Sequence, residues 1–289
     1  KTARARYLAA QALGHVDDPP TIEALAEKLV DEKEFWGTRH EVASALAKIR
    51  SSDAEAVLRA ATKTAPPPVR HSVASTLGSF QTAEAFEALK PLAMRDESFL
   101  VQSDAARSIG KTKQHAALDV LLDVVDRPSW ADVVSVGALD GFAASRDDRA
   151  VPHVVARTRY GHPTRTRRAA IVALPKIAEA RKARETLEDL LDDKDPYLRV
   201  DVVRALADLG DPKARTALRN KLDSDLDPRV RRRIREALRD LGGEGKRAVE
   251  QLREELDKLR TEHAELKSRV AKVEAHGTSS AKERKKKRK

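Results

Sequence analysis

Histidines and carboxylates are the residues with which this chain could carry out acid–base or metal chemistry. His40 and Glu41 begin like the zinc pattern His-Glu-x-x-His, but the fifth position is Ser44, so the second histidine ligand is missing. His71 lies one predicted repeat beyond His40, and two imidazoles without carboxylate or thiolate neighbours are expected on a solvated face. The chain has no cysteine. We therefore expect no metal site, no cofactor and no disulfide.

Paired carboxylates are the other candidate for catalysis. They occur at Asp17-Asp18, Asp147-Asp148 and Asp192-Asp193. Each pair lies where a helix is predicted to begin or end, so capping and helix-dipole interactions explain them better than a hydrolase site does. The sequence contains neither a Gly-x-Ser-x-Gly nucleophile motif nor a glycine-rich phosphate loop. We therefore expect that this chain is not an enzyme.

Arginine and tryptophan side chains are the candidates for binding a partner. Trp36 and Trp130 either pack in turns or stand exposed as anchors, since tryptophan is enriched at binding hot spots. The predicted partner-binding residues are Trp36, Arg39, Arg70, Arg107, Trp130, Arg167, Arg168, Arg204, Arg232 and Arg235.

Clusters of arginine make nucleic acid an alternative partner. They comprise Arg165, Arg167 and Arg168, followed later by Arg229, Arg231, Arg232, Arg233 and Arg235. Glu41, Asp104, Asp132 and Asp201, on other helices of the same array, interrupt any continuous basic stripe. Because aromatic residues make up only 3% of the chain, base stacking is not expected, and phosphate contact is the mode that remains.

The elements that position these residues repeat along the chain. One leucine or isoleucine marks each copy, at Leu13, Leu46, Leu77, Ile109, Leu139, Leu174, Leu206 and Leu238. We call these the register leucines. Small or aliphatic residues stand four and eight positions before them, and arginine stands seven before in six copies. A period of about 32 residues with one amphipathic helix per period is typical of a solenoid.

The segment 195–210 illustrates the repeating helix. Asp195 and a following proline predict its start, and Gly210 predicts its end in a left-handed cap. Similar reasoning predicts a lone helix at 1–14 followed by seven helical pairs, which we describe as first and second helices. Their predicted bounds are 18–30 with 36–49, 53–63 with 67–80, 82–94 with 99–109, 114–125 with 130–143, 148–160 with 164–178, 180–191 with 196–209, and 212–222 with 228–241. Because the lone helix has the pattern of a second helix and the chain begins with Lys1, we expect a fragment of a longer protein.

Beyond residue 242 the pattern changes to heptads. Apolar residues and one histidine alternate at spacings of three and four: Val249, Leu252, Leu256, Leu259, His263, Leu266, Val270 and Val273. We call this row the heptad seam. It predicts a coiled-coil helix over 243–276, which either pairs with a second chain or folds back on the last repeat. Residues 277–289 predict a disordered basic tail.

The repeats resemble HEAT-like repeats over residues 1–242. The resemblance implies an all-α solenoid and a ladder between repeats, in which an acid near the turn within each pair and an arginine one turn later take part. Asp195 with Arg199 and Asp227 with Arg231 match that pattern, whereas prolines replace the acid before Arg70 and Arg167. A structural role is therefore favoured for the arginine row, and a protein-interaction scaffold for the whole.

A second resemblance covers one repeat, residues 35–46, with the sequence FWGTRHEVASAL. It is similar to the HEAT-like C-terminal region of bacterial M1-family zinc aminopeptidases. That resemblance implies a non-catalytic domain of a larger metallopeptidase, whose catalytic domain would be one partner.

Charge and hydropathy limit the classes of protein to which the chain could belong. The formal net charge is +10, of which residues 282–289 contribute +6 through seven basic residues and one acid. The repeats are therefore nearly balanced, and the basic character belongs mainly to the tail. No run of 18 apolar residues occurs, so we expect no membrane span and a cytoplasmic location.

Overall fold

The computed structural model describes residues 2–242 together with positions 256, 258–260 and 263. The predicted coiled coil at 243–276 and the predicted tail at 277–289 lie outside the described residues, apart from those isolated positions. Of the heptad seam, Leu256, Leu259 and His263 are described. Each of the three is helical and exposed.

The described part of the chain is all helical, and its α-helices follow one another without an intervening strand. They are α1 (Ala3–Leu13), α2 (Pro19–Val30), α3 (Trp36–Ile49), α4 (Ser52–Thr64), α5 (Pro67–Leu77), α6 (Ala83–Arg95), α7 (Phe99–Lys111), α8 (Ala117–Val125), α9 (Val133–Ser145), α10 (Val151–Thr158), α11 (Thr164–Ile177), α12 (Ala180–Asp189), α13 (Pro196–Leu209), α14 (Ala214–Ser224) and α15 (Pro228–Leu241). Short 3-10 turns cover Trp130–Asp132, Asp148–Ala150 and Leu190–Asp192.

Helix caps explain several of these bounds. Asp18 and Asp195 accept hydrogen bonds from the amides of Thr21 (2.7 Å) and Tyr197 (2.9 Å), and Gly210 ends α13 at φ 71°. These predicted caps are confirmed. The predicted cap at Asp53 is wrong, because Ser51 caps α4 through its hydroxyl.

Further predicted bounds are wrong: α5 ends at Leu77 rather than at 80, α8 begins at Ala117 rather than at 114, and two other helix starts differ for a local reason. The helix expected from residue 130 begins at Val133, because Ala131 and Asp132 have positive φ angles of 50° and 58° and break the helical path. The helix expected from Asp148 begins at Val151, after a 3-10 turn that Asp147 caps. The prolines predicted as kink sites, Pro91 and Pro175, lie inside continuous helices.

The helices form two layers of a solenoid, as the sequence predicts. After α1, the chain makes seven pairs from α2/α3 to α14/α15, with even-numbered first helices and odd-numbered second helices. Each second helix packs on the next one along the stack, whereas contacts between successive first helices are sparser. The second helices therefore lie closer together, and we infer that they form the inner layer.

The register leucines lie in the core between the layers. Those fully buried are Leu46, Leu77, Ile109, Leu139, Leu174 and Leu206. Burying such a side chain contributes about 1.5–3 kcal/mol, and each helical pair needs its neighbours to cover that apolar surface. Within the described residues, no helix combines the length and the apolar character that crossing a membrane requires.

Candidate functional site

The arginine row forms a ladder that connects successive repeats. Arg70 donates to Asp96 at 2.7 and 3.0 Å, and Arg199 donates to Asp225 at 2.8 and 3.0 Å. In each case the acid lies 26 residues after the arginine, in the turn before the next second helix. Equivalent pairs are Arg6 with Glu34 and Arg167 with Asp193.

The ladder confirms the structural interpretation for four of the six arginines in the row and corrects their partners, whereas Arg39 and Arg231 pair with no carboxylate among the described residues. Arg199 pairs with Asp225 of the following repeat, because Asp195 is occupied as the cap of its own helix. Burial alone would raise the pKa of Asp225, but the hydrogen bonds that it accepts, led by those from Arg199, outweigh burial and lower it. The hydrogen bonds that Arg70 donates to Asp96 likewise raise the pKa of its guanidinium.

Three of the predicted partner-binding residues belong to this buried network. Arg39 and Arg167 are each 5% exposed, and the Arg70 side chain is 14% exposed. Arg39 donates from Nε to the Leu29 carbonyl at 2.8 Å. Arg70 and Arg167 hold successive repeats together, whereas Arg39 holds α3 to α2 within one pair. None of the three is available to a partner, which corrects their place among the predicted binding residues.

A second ladder crosses the exposed side of the inner layer. A residue six positions before one register leucine contacts a residue five positions before the next. His40 Nδ1 lies 2.8 Å from Ser72 Oγ, and His71 Nε2 lies 2.8 Å from Asp104. The other members are Tyr7 with Glu41 and Arg168 with Asp201. The sequence predicts the histidine column but not its partners, because each partner belongs to the next repeat.

The same band of the inner layer pairs further charges. Arg107 donates to Asp104 at 2.6 Å and to Asp140 at 3.0 Å, and Arg204 lies 3.7 Å from Asp201. In the last repeat Arg232 donates to Glu236 at 3.1 Å.

Neighbouring carboxylates thus neutralise most of the arginines predicted to bind. Of the predicted arginines, Arg235 is exposed and makes no ion pair with any residue that the structure describes.

Exposed apolar side chains follow one edge of the inner layer, where the second helices begin. Trp36 is 64% exposed and Trp130 is 74% exposed. We call this the apolar edge; its members are Phe35, Trp36, Pro67, Pro68, Phe99, Leu100, Trp130, Tyr197 and Leu226. Most of them stand nine or ten positions before a register leucine, so the column could have been found from the sequence.

A shallow cavity of about 400 Å³ opens on this edge between α3, α5 and α7. Trp36, Pro67, Pro68 and Leu100 provide its apolar wall, and His40 and His71 lie at its polar side. The rings of Phe35 and Trp36 pack at 5.3 Å between centroids, which orients the tryptophan before any partner arrives. The cavity is therefore suited to an apolar side chain from another protein.

Stacked helical pairs, a buried ladder between repeats and an exposed apolar edge define an α-solenoid protein. The HEAT-repeat family model matches residues 2–72, 55–140, 151–239 and 184–265. The chain therefore belongs to the HEAT-repeat family.

Solved structures agree with this fold. Similar structures include an Escherichia coli protein, YibA (16% identity, 82% of this chain and 96% of that chain, TM-score 0.50). They also include Kap121p (12% identity, 76% and 29%, TM-score 0.54) and the complex of CpcE and CpcF of phycocyanin lyase from Nostoc sp. PCC7120 (21% identity, 78% and 97%, TM-score 0.49). At these identities the likeness shows the fold alone. No curated protein sequence matches the chain.

Proposed function

We propose that this chain is a non-catalytic scaffold whose apolar edge binds another protein. The observation that carries the proposal is the exposure of Trp36 and Trp130 on a rigid helical stack. Exposed tryptophans rimmed by polar residues are typical of protein-binding surfaces. The middle of the inner layer is a weaker candidate, because its charged groups already pair with one another.

Energetics favour the apolar edge as the anchor. A fully buried tryptophan removes roughly 150–250 Å² from water. Trp36 and Trp130 are 64% and 74% exposed, so a partner would cover about 100–180 Å² of each, a gross gain of roughly 2.5–4.5 kcal/mol at about 25 cal/mol per Å². Side-chain ordering costs little at Trp36, since its ring already packs against Phe35. Two such anchors on different repeats would hold a partner across several helical pairs.

Photo-crosslinking tests the proposal. A benzophenone amino acid replaces Trp36 or Trp130 in the full chain expressed in its native cells, with the same replacement at Arg219 as control. Arg219 is exposed on α14, in the first-helix layer. We expect one discrete protein adduct at both tryptophan positions and none at Arg219. Identical adducts at all three positions, or none anywhere, would exclude the apolar edge as the binding site.

Nucleic acid stays the alternative partner. It is supported by the exposure of Arg231, Arg232 and Arg235 on α15 and by the basic composition of residues 282–289. Duplex DNA binding at about 50 mM and about 200 mM salt separates the two functions, because phosphate contact weakens steeply with salt. Binding that falls with salt and with deletion of 282–289 would support the alternative.

Three finer predictions also stay proposals. A parent enzyme of the M1 aminopeptidase type depends on the resemblance of residues 35–46, and the comparisons with known proteins add no support to it. In the structure this segment opens α3, and a Cβ on Gly37 would lie 2.6 Å from the Phe35 ring, so local packing also explains the glycine. A homodimer through 249–273 and a cytoplasmic location are the other two.

A further inference from the structure

A groove runs along the edge opposite the apolar edge, where the second helices end. Two adjoining cavities of about 520 and 630 Å³ share Arg50, Ser79 and Lys111 in their walls. The first cavity lies between the ends of α3 and α5, and the second extends past α7 and α9 to α11. Because second helices pack about 10 Å apart, the groove spans roughly 40 Å.

The groove is lined by basic residues. They are His15, Lys48, Arg50, Lys111, Lys113, Arg146 and Lys176. No carboxylate is among the lining residues, and the other walls are alanine, serine, threonine, glycine and glutamine. Among the described residues, Lys48 alone of the lysines and arginines in this set has an ion pair, with Glu41 at 3.5 Å. On the inner layer, carboxylates pair with most of the basic residues, whereas in this groove most of the basic residues have no carboxylate partner.

Three of the cations are fixed at unusual backbone positions. Arg50, Lys113 and Arg146 have φ angles of 61°, 60° and 56°, in the left-handed region that usually favours glycine at a helix end. Lys113 Nζ donates to the carbonyls of Ala144 and Ser145. Burial and then the charge of Arg146 lower the pKa of Lys113, as expected where like charges converge without a counter-ion.

Helix dipoles alone do not explain this arrangement. A cation near a helix C-terminus interacts favourably with the last carbonyls, and this accounts for one basic residue per helix. It does not account for Arg50, Lys111, Lys113, Arg146 and Lys176 lining one shared cavity, because their mutual repulsion opposes folding. An anionic ligand would remove that repulsion.

We propose that this groove binds an acidic, extended segment of a partner protein. At about 3.3 Å per residue, roughly twelve residues of extended chain cover the length of the groove. No aromatic residue lines either cavity, which disfavours single-stranded nucleic acid, whose bases stack on aromatic rings. The basic tail of this chain at 282–289 has the same sign of charge and is repelled. The site is distinct from the apolar edge, so either can fail without the other.

Fluorescence anisotropy with defined peptides tests the inference on the full chain. The probe is a labelled peptide of about twelve residues rich in aspartate and glutamate, compared with its asparagine and glutamine analogue and with an oligothymidylate of similar length. We expect the acidic peptide to bind at about 50 mM salt, the neutral analogue not to bind, and the oligothymidylate to bind more weakly, with affinities that fall as salt rises.

The decisive variant combines Arg50→Gln, Lys111→Gln and Arg146→Gln. Its matched control combines Lys33→Gln, Lys182→Gln and Arg219→Gln, which removes the same charge from exposed positions outside the groove. Exposed ion pairs each contribute roughly a factor of two, so we expect about a tenfold loss in the groove variant and less than about a twofold loss in the control. Circular dichroism melting checks that both variants fold.

Several results would overturn the inference. Equal losses in the groove variant and the control would show attraction by net charge alone. Absence of acidic-peptide binding, or unchanged affinity in the groove variant, would exclude the groove as its site. Tighter binding of the oligothymidylate that the groove variant abolishes would assign the groove to nucleic acid. Trp36→Ala is expected to leave acidic-peptide affinity unchanged, which separates this site from the apolar edge.

Discussion

At the scale of single residues, the acid in a turn of the arginine ladder bonds to two repeats, to one through its carboxylate and to the other through its backbone carbonyl. The Asp193 carboxylate accepts from Arg167 of the preceding second helix, while its backbone carbonyl accepts from Arg199 of the following one at 2.8 Å. The Asp96 carboxylate likewise accepts from Arg70, and its backbone carbonyl accepts from Gln102. One residue thus connects two repeats, and its carboxylate also caps an amide two residues later.

Arg39 lacks the acid with which the arginines of the neighbouring repeats pair. The residue at the corresponding acid position is Ala65, which supplies its carbonyl to Arg70 at 2.8 Å but has no carboxylate for Arg39. Arg39 Nη2 is buried without a hydrogen-bond partner among the described residues. A buried donor left unsatisfied costs about 1–3 kcal/mol, so this junction between repeats is weaker than its neighbours.

Ala65→Asp is therefore expected to stabilise the protein. The new carboxylate would meet Arg39 as Asp96 meets Arg70, and we expect a gain of about 1 kcal/mol in the free energy of unfolding, since a charged hydrogen bond offsets the burial of the acid. Urea denaturation measures the change. Ala65→Asn is the control for shape without charge. A loss of stability in Ala65→Asp that exceeds the loss in Ala65→Asn would contradict the expectation.

His71 adds a pH-dependent contact to the second ladder. Its hydrogen bond to Asp104 raises the pKa of the imidazole, against burial and the nearby charge of Arg107, which lower it. Since the folded state holds the proton more tightly, the stabilisation is complete below the unfolded pKa of about 6.5. It is lost as the pH rises through the higher folded pKa.

His71→Gln is expected to be less stable than wild type in acid and nearly equal to it in base. The side chain is 43% exposed, so solvent screening limits the difference to about 0.5 kcal/mol. Unfolding at about pH 5.5 and about pH 9 brackets the titration. His153→Gln, at an exposed position on α10, is the control and should show no such trend. A stability difference between wild type and His71→Gln that increases as the pH rises would contradict this expectation.

At the scale of helices, the closest approach in the stack lies between α7 and α9. A Cβ on Gly110 would overlap the Gly141 carbonyl oxygen, and one on Gly137 would overlap the Ser103 carbonyl oxygen. Glycines at these positions let two second helices touch through their backbones. The inner layer is drawn together there, which sets the local curvature.

Gly110→Ala tests whether this approach matters. The added methyl must push α7 and α9 apart, and we expect a loss of about 3 kcal/mol in the free energy of unfolding, as for an overpacked core. Gly210→Ala is the matched control, because nothing lies within 4 Å of its Cβ position and only its positive φ opposes alanine. That control should cost about 1 kcal/mol. Equal losses in both variants would mean that the helix contact is not tight.

At the scale of the whole molecule, the stack could be predicted because the repeat pattern is local and regular. The bounds of α13 at Pro196–Leu209 and of α15 at Pro228–Leu241 follow from Asp-Pro caps and the register leucines. The start of α9 could not be predicted, because no glycine marks the positive φ angles of Ala131 and Asp132. Nor do local patterns show which acid of the next repeat an arginine meets.

The surfaces were harder to predict than the fold, because their residues come together from different repeats. Trp36 and Trp130 were expected as anchors, and Leu100 shares their sequence column. Leu226 stands outside that column, twelve positions before its register leucine, so its place on the apolar edge is seen only when helix starts are aligned in space. The basic residues of the groove lie at the ends of five second helices, with two at the end of α3 and two at the end of α7. Nothing local distinguishes them from basic residues such as Arg168, which the structure shows to be paired.

Pairing of two chains along the heptad seam stays a prediction. Leu256 and Leu259 are 48% and 64% exposed, and two chains paired along the seam would bury both. We expect the full chain to sediment as a dimer, because pairing removes the apolar seam from water. Leu256→Glu with Leu259→Glu should give a monomer, because paired helices would bury the two carboxylates. A monomer mass for the wild type at every pH and concentration would instead favour the seam folding back on α15, since a chain that covers its own apolar row has no need of a second copy.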